Sequence, residues 1–486
     1  MCHLKFFGKE VMIQTPQKAS LVLWMLTLLS SSVLAKPLSL DDYLTQVKKG
    51  NDGVQALIES SKAILARQDE ARLLVGPNFF TNISFYSDAK PTAAPIFMGT
   101  RTLADTYNFG FAQQTQFGLA GKLYYQWTYT RIEGTQPGIL SLPNFYEAKP
   151  VLELSQSLWK NGFGSETRSN LQIAESGTKA QGFADSFKLK AALAEAEGTY
   201  WRLAISRQVV KVQKESLDRA ERLRDWNRKR VRNGLGDRSD ELQAEANLQV
   251  RTLEYQTALN EVRSAGLAFN GLRGIQKETV EDEMPLIDKS TTEKLKPKTK
   301  TGMRLDVRAA QELAKVAEAN AQLGKERNSP TLDLFGTLAT NGRTDQWNSA
   351  ISDSLKTRYP TFTVGLKFQT SLDLGQVLED QRAYSAEKKA AELTYRRKAF
   401  EEERDYEDLK KKFEETKERL RLCFGIEEVQ EKKLAREKER LKLGRSVTYQ
   451  VIMFEQDFAS AELLRLKTQG ELLGLVTQLN LFGEDS

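Results

Sequence analysis

Proline placement limits this chain more than any other feature. Twelve prolines are spread over 486 residues, yet none lies between Val151 and Met284 and none between Thr361 and Ser486. A proline inside a helix costs ~3 kcal/mol, because it deletes a backbone donor and collides with the preceding turn. Tracts this long without one permit very long helices. They are also rich in Ala, Glu, Lys, Leu, Arg and Gln, which enter helices readily. From Tyr406, the residues Leu409, Phe413, Thr416, Leu420 and Cys423 follow at alternating spacings of three and four. That is the a/d seam along which helices supercoil, and it makes Cys423 a packing residue instead of a redox thiol.

Aromatic residues are placed differently. Seventeen of the 43 fall between Phe79 and Phe163, where helical periodicity gives way to alternation. Leu123, Tyr125, Trp127 and Tyr129 alternate with more polar neighbours, as do Phe362, Val364, Leu366 and Phe368. Shorter alternations occur at Phe79 to Phe85, Tyr107 to Phe111, Leu152 to Leu158 and Leu332 to Leu338. One apolar and one polar face per strand suits a half-buried soluble sheet or a membrane barrel with a wet lumen. After the N-terminal region no segment approaches the ~18 consecutive apolar residues of a spanning helix, so a closed barrel is the remaining way through a bilayer.

The order of segments repeats. Pro77 follows Val54 and Pro330 follows Val307 by the same 23 positions, and the two stretches align without a gap. After the strands, Ser157-Leu158 matches Ser371-Leu372, and a helical stretch runs to Gly234 or Gly444. Beyond those glycines Glu245 aligns with Glu455, Glu261 with Glu471 and Asn270 with Asn480. The organisation expected is a signal peptide over 1–35, a first repeat over 36–274, a linker over 275–300 and a second repeat over 301–486. Strands are expected near 78–158 and 331–372. Gly234 and Gly444 are the hairpin turns, where glycine permits positive φ.

The first 35 residues read as an export signal: Lys5, Lys9 and Lys18 precede an apolar run from Leu21 to Leu29, and Val33-Leu34-Ala35 offers a cleavage site. Cys2 and His3 lie in that segment, which leaves the mature chain with one cysteine and no imidazole. A disulfide within one chain is then excluded, and so is most general-base and metal chemistry. No phosphate loop or nucleophile–base pair stands out, so no enzyme activity, cofactor or metal is expected. The charge of +6 comes from 71 basic and 65 acidic residues, well mixed along the chain, which describes solvated helix faces and not a nucleic-acid patch.

A helix of ~65 residues at 1.5 Å per residue spans ~100 Å, several times a bilayer. The shorter helices before Pro77 and Pro330 would complete the return path from the turns to the sheet. One chain cannot bury such helices on itself, nor close a barrel that needs ~8 strands with the four to six expected. Several copies must share it.

Leu38-Ser39-Leu40-Asp41-Asp42-Tyr43-Leu44 is similar to the first helix of the TolC-like outer membrane efflux proteins, and Arg304-Leu305-Asp306-Val307-Arg308-Ala309-Ala310 resembles the opening of their second repeat. Gln156-Ser157-Leu158-Trp159 and Thr370-Ser371-Leu372-Asp373 look like their strand-to-helix passage, while Gly234 to Leu248 and Gly444 to Phe458 resemble their periplasmic tip. The resemblance covers nearly the whole mature chain. It implies a mainly α fold with a membrane β-barrel portion: a long antiparallel coiled-coil helical barrel continued by a β-barrel shared between protomers, built on an internal duplication. It further implies a homotrimer in outer-membrane lipid with its helices in the periplasm, serving as the passive exit duct of a tripartite efflux or type I secretion system. The partners implied are a periplasmic adaptor and an inner-membrane transporter. Gly234, Leu235, Gly236, Gly444, Arg445 and Ser446 are the adaptor-docking candidates.

Two departures stand out. Ser157 lies 80 positions after Pro77 across the strand region of the first repeat, whereas Ser371 lies only 41 after Pro330 in the second. The excess includes a hairpin-like pair, Tyr107–Phe117 and Lys122–Ile132, which is either an extra barrel hairpin or an extracellular flap. At the tip, the positions that carry an acidic ring in the family fall on Gln450 and Met453 in the second repeat, and only Asp240 keeps a carboxylate in the first. Asp240 also suits a helix N-terminus on dipole grounds alone. The competing reading of the whole chain is a periplasmic coiled-coil adaptor or structural spacer.

Overall fold

A computed structural model describes residues 37–483; the expected signal peptide lies outside them. The first half runs α1 (Leu40–Gly50), α2 (Asp52–Ala66), β1 (Asn78–Asp88), a short α3 (Pro95–Met98), β2 (Arg101–Gln114), β3 (Leu119–Glu133) and β4 (Asn144–Ser157). Two long helices follow, α4 (Ser165–Arg232) and α5 (Arg238–Leu272), and then a short α6 (Lys289–Glu293). The second half repeats the order with α7 (Leu305–Arg327), β5 (Thr331–Thr340), β6 (Gly342–Thr344), α8 (Trp347–Ser354) and β7 (Pro360–Gln369). It closes with α9 (Leu374–Lys442) and α10 (Thr448–Leu479).

Helices α4 and α9 hold 68 and 69 residues without a break, which makes each about 100 Å long. The other helices stack into columns of similar reach. At the end of α5, the Asn51 amide donates to the Leu272 carbonyl across 3.2 Å, while its side-chain oxygen caps α2 by accepting from the Val54 N–H at 3.1 Å. Gly50 lies so close to this junction that a Cβ would fall 2.2 Å from the Arg273 carbonyl oxygen. In the second half, Asn480 just beyond α10 accepts from the Lys298 N–H at 3.0 Å, and Arg304 at the start of α7 stacks over Phe482 at 5.0 Å. Each half thus supplies one continuous helix and one composite column.

The helical stretch expected before Pro77 is interrupted. Asn51 stops α1 and starts α2, and a 3-10 turn at Glu70–Leu74 precedes the strands. Before the break, α1 packs against α4 and the end of α5. There Tyr43 stacks on Phe269 at 4.1 Å, donates its hydroxyl to the Phe269 carbonyl at 3.3 Å and leans on Tyr200. With Val47, Val54 and Leu203 these rings form one of the fully enclosed cores of the helical part. The heptad on α9 faces α10: Phe413 and Leu420 pack with Leu472, Val476 and Leu479, and Cys423 is buried beside Thr468.

All strands join one antiparallel sheet in the order β1-β2-β3-β4-β5-β7, with β6 extending along β4. Hairpin β2–β3 therefore lies within the sheet, between β1 and β4. Its turn depends on Gly118 at φ 77°, where a Cβ would also press within 2.7 Å of the Gly164 nitrogen. Helix α8, absent from the sequence reading, lies over the sheet. Tyr125 and Ser354 share a hydroxyl hydrogen bond of 2.9 Å, and Trp347 packs 6.3 Å from Trp127.

Candidate functional site

Three regions have functional geometry: the helical tips, a charged layer behind them and the sheet. At the first tip, the Gly234 N–H reaches the Val231 carbonyl at 3.0 Å and the Leu235 N–H reaches Arg230 at 2.8 Å. At the second, Gly444 reaches Leu441 at 3.0 Å and Arg445 reaches Arg440 at 2.9 Å. Both are Schellman turns, which satisfy the last helical carbonyls through a residue in the left-handed region. Gly234 and Gly444 share φ 70°. Arg230 and Arg440 each add a side-chain bond to the carbonyl of Leu235 or Arg445. The duplication is thus preserved atom by atom at the turns.

The tips differ just after them. Asp237 caps α5 by accepting from the Ser239 N–H at 2.8 Å, whereas Val447 holds the corresponding place before α10. Asp240 is half-buried on α5; Gln450 and Met453 are exposed one turn apart on α10. Nearby carboxylates are already engaged within the chain. Buried Glu241 holds Arg228 at 3.4 Å and Arg238 at 2.5 Å, and buried Glu437 receives Ser446 Oγ and holds Arg440 at 3.2 Å. Leu235, Gly444 and Arg445 are exposed, while Gly236 and Ser446 are partly covered.

Behind the tips lies a layer that sequence reasoning missed. Arg219 on α4 donates to Glu455 on α10 and stands 3.7 Å from Glu462, while Lys438 on α9 holds the second Glu455 oxygen at 2.8 Å. Thr448 on α10 donates to Asn227 on α4. Arg465 binds Glu427 and, at 2.8 Å, Gln469. The Arg219 and Thr448 contacts tie the hairpin of one repeat to that of the other, while those of Lys438 and Arg465 stay within the second. Burial pushes the Glu462 carboxyl up to about 7; Arg219 opposes the shift, and the neighbouring carboxylates Glu427 and Glu215 reinforce it. A signal was available: Glu455 and Glu462 sit seven residues apart, a full heptad, on a stripe of α10 that Thr448 and Gln469 continue at the same spacing.

The sheet is two-sided. Phe79, Phe111, Leu123, Leu152, Leu338 and Phe362 form one cross-strand row, and Asn78, Ala112, Lys122, Glu153, Thr337 and Thr363 form the next on the opposite face. Tyr107, Trp127 and Tyr146 continue the first face as an aromatic ladder with ring spacings of 5.5 and 6.4 Å. Among the described residues, no helix is long and apolar enough to cross a membrane, and no group of His, Cys, Asp or Glu could hold a metal.

The long helical hairpins and the apolar-faced sheet together define the fold of the outer-membrane channels. In particular, the chain is similar to the solved structures of VceC from Vibrio cholerae (13% identity, 91% of this chain and 96% of that chain, TM-score 0.62) and of the open-state MtrE channel from Neisseria gonorrhoeae (16%, 91% and 89%, 0.62). It is also similar to CusC, a protein described by its transmembrane channel formation (11%, 92% and 92%, 0.63). No protein-family model matches the chain, and neither does any curated protein sequence. The expected fold class is borne out: long helices joined to an antiparallel sheet in the TolC-like arrangement.

Proposed function

We propose that this protein is an outer-membrane channel: a homotrimer whose sheets form a barrel in outer-membrane lipid and whose helices form a tunnel through the periplasm. It acts as a passive exit duct for an efflux or type I secretion system, and an inner-membrane transporter supplies the energy. The observation that carries this reading is an exposed apolar row, from Phe79 to Phe362, across every long strand of a sheet that ends in two unpaired edges, at one end of helices about 100 Å long. Lipid accepts such a face only if the edges close into a barrel.

The tip is the docking end in this reading. Gly234, Leu235, Gly236, Gly444, Arg445 and Ser446 form the two turns that a periplasmic adaptor would grip, and Asp240, Gln450 and Met453 line the entrance. Because Glu241 and Glu437 are buried in ion pairs within the chain, the entrance depends on Asp240 alone for negative charge from these positions, so weak cation preference is expected. The test is purification from outer membranes followed by planar-bilayer recording. Detergent-stable trimers that conduct ions support the proposal; a monomeric, water-soluble protein without conductance sinks it. An adaptor or spacer would leave the apolar sheet face without a role.

A further inference from the structure

We propose that hairpin β2–β3 is part of the membrane wall, that β7 of each copy pairs with β1 of the next, and that three copies close a barrel of eighteen strands, six full-length strands from each. This rests on the channel reading above and adds to it the seam between copies and the width of the barrel.

The hairpin is bonded into the sheet along its whole length. β2 follows β1 from Asn78↔Ala112 to Asp88↔Thr102, and β3 follows β4 from Leu119↔Gln156 to Arg131↔Asn144. Its apolar residues share one face with those of its neighbours: Phe111 and Leu123 stand in the row that begins at Phe79 and ends at Phe362. A one-residue slip would turn that face inward, so the match in register is specific to a wall position.

The stagger of the sheet fits closure. From Asn78 at the foot of β1, the row of partners leads to Thr363, six residues above Gln369 at the foot of β7. That is a climb of roughly 20 Å over five strand spacings of about 4.8 Å, a tilt of about 40°. Closed barrels tilt their strands by about 35–45°.

Width agrees as well. Each copy has four helical columns, which at about 8–10 Å per helix occupy an arc of roughly 32–40 Å. Six strands at this tilt occupy roughly 38 Å, whereas four would occupy only about 25 Å. The six-stranded sheet therefore continues the helical wall without a neck.

Both free edges need a partner. Phe85 on β1 and Phe362 on β7 are 73% and 71% exposed, and long apolar edges left bare invite aggregation. β1 runs away from the helices and β7 returns towards them, so a second copy of the chain joins antiparallel, as every other neighbour in the sheet does. Matching apolar faces across the seam pairs odd-numbered β1 residues with even-numbered β7 residues. Ile83 then lies beside Val364, or beside Leu366 if the register slips by two.

The test uses the full chain in outer membranes, with the buried Cys423 first replaced by alanine. Ile83→Cys combined with Val364→Cys or with Leu366→Cys should give covalent trimers on oxidation. Ile83→Cys with Leu123→Cys, two strands away, should give none. Electron cryomicroscopy of the purified trimer should count eighteen strands. A threefold particle with twelve wall strands and the hairpin outside them overturns this proposal and leaves the channel reading standing. A monomer without conductance overturns both.

Discussion

Thr448 Oγ1 donates to Asn227 Oδ1 across 2.9 Å, and both residues are only 1% exposed. The bond joins the first turn of α10 to α4, so it fastens one hairpin tip to the other. The Asn227 amide nitrogen is already used by the Leu223 carbonyl at 3.1 Å, which leaves Thr448 as the donor to its oxygen. Replacing the hydroxyl in Thr448→Val keeps the shape and strands that oxygen, at an expected cost of about 1–3 kcal/mol. Urea unfolding should show the loss. Bilayer recordings should show a larger or more frequently open conductance, since the tip can splay. An unchanged conductance would mean that this bond does not restrain the entrance.

Glu462 should give the helical part a pH dependence. Its carboxyl is raised by burial from the ordinary 4.5 to about 7 in the folded chain. Between those values the folded state binds the proton and the unfolded state releases it, so stability falls as pH rises from about 4.5 to about 7. Glu462→Gln should flatten that part of the stability profile in thermal melts taken across the range. A profile unchanged by the substitution would place the titration elsewhere.

The two turn glycines should be costly to replace for a conformational reason alone. A Cβ at Gly234 or Gly444 meets nothing within 4 Å, but both residues hold φ 70°. Gly234→Ala or Gly444→Ala should destabilise by about 1–2 kcal/mol, with asparagine milder than alanine. Alanine accepted at either position without loss of stability would contradict the Schellman geometry.

Sidedness of the sheet predicts a contrast between nearby positions on opposite faces of β7. Leu366 lies on the apolar face of β7 and Thr363 on the polar one. Leu366→Arg should cost about 2–4 kcal/mol and lower the yield of assembled protein in membranes, whereas Thr363→Arg should assemble and alter conductance. Equal yields for the two would deny that the apolar face meets lipid.

Much of this architecture was legible in the chain. Proline-free tracts set the lengths of α4 and α9, alternation located the six long strands, and the alignment of Gly234 with Gly444 placed two turns that proved identical in their hydrogen bonds. These features depend on local backbone preference and periodicity, which sequence records directly. Even the break at Asn51 was signalled by the glycines at 50 and 53 and by an asparagine suited to cap a helix.

What periodicity could not supply was adjacency between distant segments. Whether hairpin β2–β3 lay between β1 and β4 or stood apart from the sheet depended on strand pairing, and only the assembled sheet supplied that. Likewise, Arg219, Glu455 and Glu462 are ordinary charges on paper. They become a buried layer only when α4 and α10 pack, and burial there moves a carboxyl to about 7. The sequence by itself determined the elements, their lengths and their duplication, because those follow from local propensity. Tertiary structure decided the strand order and the electrostatics behind the tips, because the first turns on the pairing of β4 with β5, such as Val151 with Ala339, and the second on contacts between residues more than 200 positions apart.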